Sequence, residues 1–144
     1  MAGKDINHRK YDKIRFDIDD EDVILVDILE TIPYEYAGKE MEVTIPTTEF
    51  TSVCPWSGLP DFAALHIHYV PDETLIEMKS LKYYLTSYRN VGIYQEHATQ
   101  RILKDLVNVC RPVRMRVEAH WNERGGLGTH TVAEYVRENE QSCP

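Results

Sequence analysis

Val113-Arg114-Met115-Arg116-Val117-Glu118-Ala119-His120-Trp121 alternates apolar and polar side chains without a break. Successive side chains on a strand point to opposite faces, so Val113, Met115, Val117, Ala119 and Trp121 share one face and Arg114, Arg116, Glu118 and His120 the other. Such a strand buries one face and wets the other, as in an antiparallel sheet covered on one side. Upstream, Ala98, Ile102, Leu106 and Cys110 recur at four-residue spacing with Leu103 and Val107 beside them, which predicts an amphipathic helix over 95–110. Arg111-Pro112 ends it. Downstream, Arg124-Gly125-Gly126-Leu127-Gly128 reads as a turn into a last strand over 129–136.

Working outward, residues 62–70 read as a strand with Leu65, Ile67 and Tyr69 on one face. Pro71-Asp72-Glu73 is a turn, and 74–79 is expected to return beside that strand as a hairpin. Residues 81–88 read as a short helix with Ser80 as N-cap, broken by Asn90-Val91-Gly92. Residues 40–46 alternate Met41, Val43 and Ile45 with polar neighbours, a half-buried strand expected to stop at Pro46. The connection 47–61 is expected to be irregular but ordered, since Phe50, Val53 and Trp56 are embedded in it. The order β-β-β-α-α-β-β predicts an α+β fold, an antiparallel sheet with two antiparallel helices on one face. Its edge strands favour closure by other subunits.

The chain has 144 residues, 42% hydrophobic and 28% charged, which suits one globular domain. Residues 1–20 are mostly polar and are expected to form a loosely docked arm, leaving 21–144 as the domain. No membrane-spanning run and no apolar leader are read, so a cytoplasmic location is expected. A net charge of −8 argues against a dedicated nucleic-acid binder. Cys54, Cys110 and Cys143 are an odd count, which argues against a disulfide framework, and each is read as a free thiol or a ligand.

Three clusters can carry chemistry. Cys54 lies in the polar connection and Asp61 at the mouth of the next strand; a thiolate there is a nucleophile and a carboxyl can pass a proton. Spacing alone does not separate a reactive pair from an incidental one. Lys79 and Lys82, at a strand-to-helix junction, can grip a phosphate with free N–H groups of the helix start, or can be a solvated helix end. Glu96, opening the long helix, can accept two hydrogen bonds from the edge of a guanine-like base, or can simply favour the helix dipole. Cys54, His66, His68 and Cys110 lack paired ligand spacing, so no metal is expected from them. Arg124-Gly-Gly-Leu-Gly does not match the dinucleotide fingerprint.

These clusters together resemble the NADPH-dependent 7-cyano-7-deazaguanine reductases, the QueF nitrile reductases. The resemblance runs over about residues 45–128 and rests on several stretches in order. They are Glu49-Phe50-Thr51-Ser52-Val53-Cys54-Pro55, Gly58-Leu59-Pro60-Asp61-Phe62-Ala63, Glu77-x-Lys79-Ser80-Leu81-Lys82, Tyr88-Arg89-Asn90, Glu96 and Arg124-Gly125-Gly126. It implies the single-domain type with the tunnelling fold (T-fold), whose sheets join between subunits into a barrel. It also implies a homo-oligomer of stacked rings, a decamer included, with active sites at subunit interfaces.

By the same resemblance Cys54 is the nucleophile, Asp61 the acid–base, and Glu96 the base-recognition carboxylate with Gln95, Glu77 and Ser80 near the substrate. Lys79 and Lys82 belong to the NADPH motif, with Arg124 and Gly125 also at the cofactor; no metal, nucleic acid or membrane is implied. Met78 and Gln95 depart from the family pattern, and Gln95 stands where a histidine usually precedes the recognition glutamate. The implied reaction is reduction of a nitrile to an amine through a Cys54 thioimide, in queuosine biosynthesis. Two rivals are an amidinotransferase of the same superfamily acting on tRNA and a non-catalytic deazaguanine binder.

Overall fold

The computed structural model describes residues 11–138. Its strands are β1 (Thr31–Pro33), β2 (Val43–Val53), β3 (Pro60–Val70), β4 (Thr74–Ile76), β5 (Arg114–Arg124) and β6 (Leu127–Val136), and its helices α1 (Met78–Thr86) and α2 (Gln95–Cys110). A four-stranded sheet runs β2-β3-β5-β6, antiparallel throughout, and β1 pairs with β4 apart from it. This is the α+β architecture expected. The alternation in β5 resolves as read: Met115, Val117, Ala119 and Trp121 are buried, while Arg114 and His120 are exposed. Opposite them Ala63, Leu65, Ile67 and Tyr69 of β3 face the same core, which α2 covers with Ala98, Ile102, Leu106 and Cys110. Phe50, Tyr88 and Trp121 meet edge-on, Phe50 lying 5.3 Å from the Tyr88 ring and 5.8 Å from Trp121.

Four expectations change. β2 does not stop at Pro46 but continues to Val53, with a register shift between Thr47 and Phe50. It is an edge strand, where a proline's missing N–H costs no ladder bond on the open side, and the irregularity absorbs the rest. The segment after Pro71 does not return beside β3, because β2 and β5 already occupy both edges of β3; β4 pairs instead with β1, a three-residue strand too short to read by periodicity. The N-cap of α1 is Glu77, whose carboxylate accepts from Lys79 N at 2.9 Å and Ser80 N at 2.6 Å. Trp56 is not part of the core but 78% exposed, unlike the buried Phe50 and Val53.

α2 ends as predicted, with Arg111 in the left-handed region at φ 46° and Pro112 after it. Of the expected arm, residues 11–20 are exposed, yet Asp19 docks: its N–H donates to Asn90 O at 2.8 Å and its carbonyl accepts from Gly92 N at 3.0 Å. Residues 1–10 and 139–144, including Cys143, lie outside the described residues. Among the described residues no helix is long and apolar enough to cross a membrane.

Candidate active site

At one end of the sheet, the tail of β2, the head of β3 and the β5–β6 hairpin converge. Val53 ends β2 by bonding Val91 O and Ile93 N, which brings the approach to α2 against the same spot. The chain then turns on itself: Gly58 N donates to Cys54 O at 2.8 Å and Cys54 N to Leu59 O at 2.9 Å. Gly58 sits at φ +70°, and a Cβ there would lie 2.9 Å from Phe16 Cβ, so conformation and space both require glycine. This closed turn holds Cys54 partly exposed at the sheet end.

Asp61 stands on β3 opposite Ser52 and is 4% exposed. Arg124, from the end of β5, reaches it with Nε donating to Oδ1 at 2.5 Å, and Nη2 closes on the same oxygen. The Arg124 guanidinium also favours the Cys54 thiolate. Partial burial pushes the Cys54 thiol up, but the backbone N–H groups of Ser57 and Trp56, the Ser57 side chain and Arg124 outweigh it and hold the thiol below its ordinary value. Cys110 is the contrast: burial dominates and pushes its thiol up to about 12. Beside Asp61, the Ser52 hydroxyl is fully buried and has no hydrogen-bond partner among the described residues.

Cys54, Asp61 and Arg124 are thus brought together. The resemblance gives Arg124 as a cofactor residue; its contact with Asp61 has no trace in spacing, because it spans 63 residues and needs the hairpin. Gly125 and Gly126 make that hairpin, both at positive φ. Glu96 is exposed in the first turn of α2 and Gln95 half-buried beside it; among the described residues no hydrogen bond joins either side chain to the trio.

Glu77 and Ser80 are engaged at the start of α1. Ser80 is buried, its Oγ donating to Glu77 O at 2.8 Å and accepting from Glu30 N at 3.0 Å. The N–H groups expected to be free for a phosphate, those of Lys79 and Ser80, are taken by the Glu77 carboxylate, which they hold below the usual carboxylate range. Lys79, Lys82 and Arg89 line a groove of about 680 Å³ between α1 and β2, with Leu81 and Leu85 on its floor. Lys82 pairs with Glu49 at 3.2 Å, both side chains largely in solvent. Cys110 is separated by the sheet from His66 and His68, since Cys110 is in the core and the two histidines alternate with buried Leu65, Ile67 and Tyr69.

Fold and site together define an α+β protein with a lowered-pKa cysteine linked through one arginine to a buried aspartate. Residues 60–140 match the family model described as QueF-like protein. A protein of Caldicellulosiruptor bescii named NADPH-dependent 7-cyano-7-deazaguanine reductase is 56% identical over 128 residues, 89% of this chain and 98% of that one. One of the same name from Thermoanaerobacter pseudethanolicus is 54% identical over 129 residues, 90% of this chain and 97% of that one. The crystal structure of the archaeosine synthase QueF-Like in the apo form shares the fold, with a TM-score of 0.62 at 23% identity, over 68% of this chain and 96% of that one. The chain belongs to the QueF family.

Proposed function

We propose that this chain is an NADPH-dependent oxidoreductase that reduces the nitrile of 7-cyano-7-deazaguanine to the primary amine, 7-aminomethyl-7-deazaguanine, in queuosine biosynthesis. Relatives of this name cover nearly its whole length. The observation that carries the chemistry is the guanidinium of Arg124, hydrogen-bonded to the buried Asp61 and favouring the thiolate of Cys54. A nitrile carbon accepts hydride poorly, but addition of a thiolate makes it a thioimide, provided a proton reaches nitrogen. Cys54 adds as the thiolate, and Asp61, having taken the thiol proton, passes it to the nitrile nitrogen; Arg124 holds the Asp61 carboxylate in place and favours the charged form of the thiol. Glu96 and Gln95, at the start of α2, recognise the base.

The groove beside α1 fits an anionic dinucleotide: Lys79, Lys82 and Arg89 offer cations for phosphates, and Leu81 and Leu85 offer apolar floor. Because Glu77 occupies the helix N–H groups, the lysine side chains do the gripping. Each NADPH, when bound, would supply one hydride, and two NADPH in turn would supply the four electrons that the reduction requires.

We further read the fold as a T-fold whose unpaired edges, β2 and β6, are closed by other copies of the chain into a barrel within rings. Trp56 and Leu59, in the turn that carries Cys54, are apolar and exposed and suit cover by a second subunit. The enzyme works in the cytoplasm on a free small molecule. The net charge of −8 and the lysine motif oppose a tRNA-acting amidinotransferase, and a lowered-pKa thiol opposes a mere binder. NADPH absorbance followed with and without 7-cyano-7-deazaguanine tests the reading. Two NADPH consumed per nitrile are expected; nitrile binding without NADPH consumption would refute reduction.

A further inference from the structure

The face of the four-stranded sheet that lacks helices carries a cluster that the reduction does not use. His120 and His130 are directly opposed across β5 and β6, and Glu118 lies two residues before His120 on the same face. Both imidazoles aim Nε2 at one oxygen, Glu118 Oε1, at 3.1 Å from His120 and 2.8 Å from His130. The two rings stack with centroids 3.9 Å apart. All three potential ligand atoms lie within 4.8 Å of one another.

From this geometry we infer that Glu118, His120 and His130 form a binding site for one divalent transition-metal ion of the zinc class. Ligands at about 2.0–2.1 Å around a tetrahedral ion stand roughly 3.3 Å apart, close to the observed spacing, so small side-chain rotations suffice. Two imidazoles and one carboxylate are also the donor set such ions select, with a fourth position left for water. A cation replaces the ring protons that now point at the carboxylate, and neutral imidazoles then donate lone pairs to it.

The scaffold is prepared in two ways. The ligands stand on adjacent strands of a continuous ladder rather than on loops, so the backbone fixes their spacing before any ion arrives. Arg116 lies 3.5 Å from the other carboxylate oxygen, Glu118 Oε2, and binds Glu134 at 2.5 Å, which leaves Oε1 facing the imidazoles. Solvent reaches the cluster: both histidines are about half exposed, and a hollow of about 490 Å³ touching Glu118, Arg116 and His68 adjoins it. Asp61 belongs to the opposite, core-facing side of β3, in line with Ala63 and Leu65, so this site is separate from the cysteine centre.

The test is titration of the full, untagged, chelator-stripped chain with Co²⁺ and Zn²⁺, read by calorimetry and by visible Co²⁺ absorption. One equivalent per chain is expected, with Co²⁺ bands of nitrogen and oxygen ligation and no sulfur-to-metal charge transfer. His120→Asn with His130→Asn is expected to weaken binding at least about 10-fold, whereas Cys54→Ser leaves it unchanged. Glu118→Gln, which keeps side-chain volume, gives the same loss should the double variant fail to fold. Undiminished binding in these variants, loss in Cys54→Ser, or a thiolate band would overturn the site.

Discussion

At Cys54 partial burial raises the thiol, and the amides of Ser57 and Trp56, the Ser57 side chain and the Arg124 guanidinium more than offset it. The thiolate is therefore populated at lower pH than in an ordinary cysteine, and alkylation of Cys54 should set in at correspondingly lower pH. Arg124→Ala removes one of the lowering contacts, so its alkylation profile should move to higher pH; an unmoved profile would separate Arg124 from the sulfur. Asp61→Asn keeps the shape but removes the proton donor, and should cut kcat by about 10²–10⁴-fold with nitrile affinity largely retained, as single-turnover and binding titrations can tell apart. Cys54 and Asp61 were legible as candidates because their types and order match a family motif. Arg124 was legible as a site residue but not in its partners, since its reach to Asp61 depends on how a distant hairpin folds back.

Among the elements, α2 and β5 were read almost to their ends because each repeats one period long enough to exclude the other. β2 was cut short at Pro46 because a proline signals a stop unless the strand is known to be an edge, which only the assembled sheet reveals. β4 was misplaced for a similar reason: its partner was decided by which edges of β3 were already taken. α1 is tied to α2 by a buried network in which Tyr84 Oη donates to Asp105 Oδ2 at 2.7 Å and Arg101 Nε to the same oxygen at 2.9 Å. Asp105→Ala leaves both donors without their acceptor and should cost roughly 2–4 kcal/mol in urea unfolding. On the outer side of α1, Lys79→Ala with Lys82→Ala removes two charged grips and should raise KM for NADPH at least about 10-fold while nitrile affinity holds. Equal losses for both ligands would place the lysines elsewhere in the cycle.

For the whole molecule, β2 and β6 are open edges of the sheet among the described residues, and Trp56 and Leu59, in the turn that carries Cys54, are exposed. Light scattering over a dilution series should find a closed oligomer, and activity should fall as it dissociates; a fully active monomer would remove the ring from the account. The central claim is narrower and can be weighed directly. Intact-mass spectrometry of the chain incubated with 7-cyano-7-deazaguanine, with no NADPH present, should show a covalent adduct equal to the mass of the nitrile, absent in Cys54→Ala. An unmodified wild-type mass, or an adduct that survives in Cys54→Ala, would contradict it.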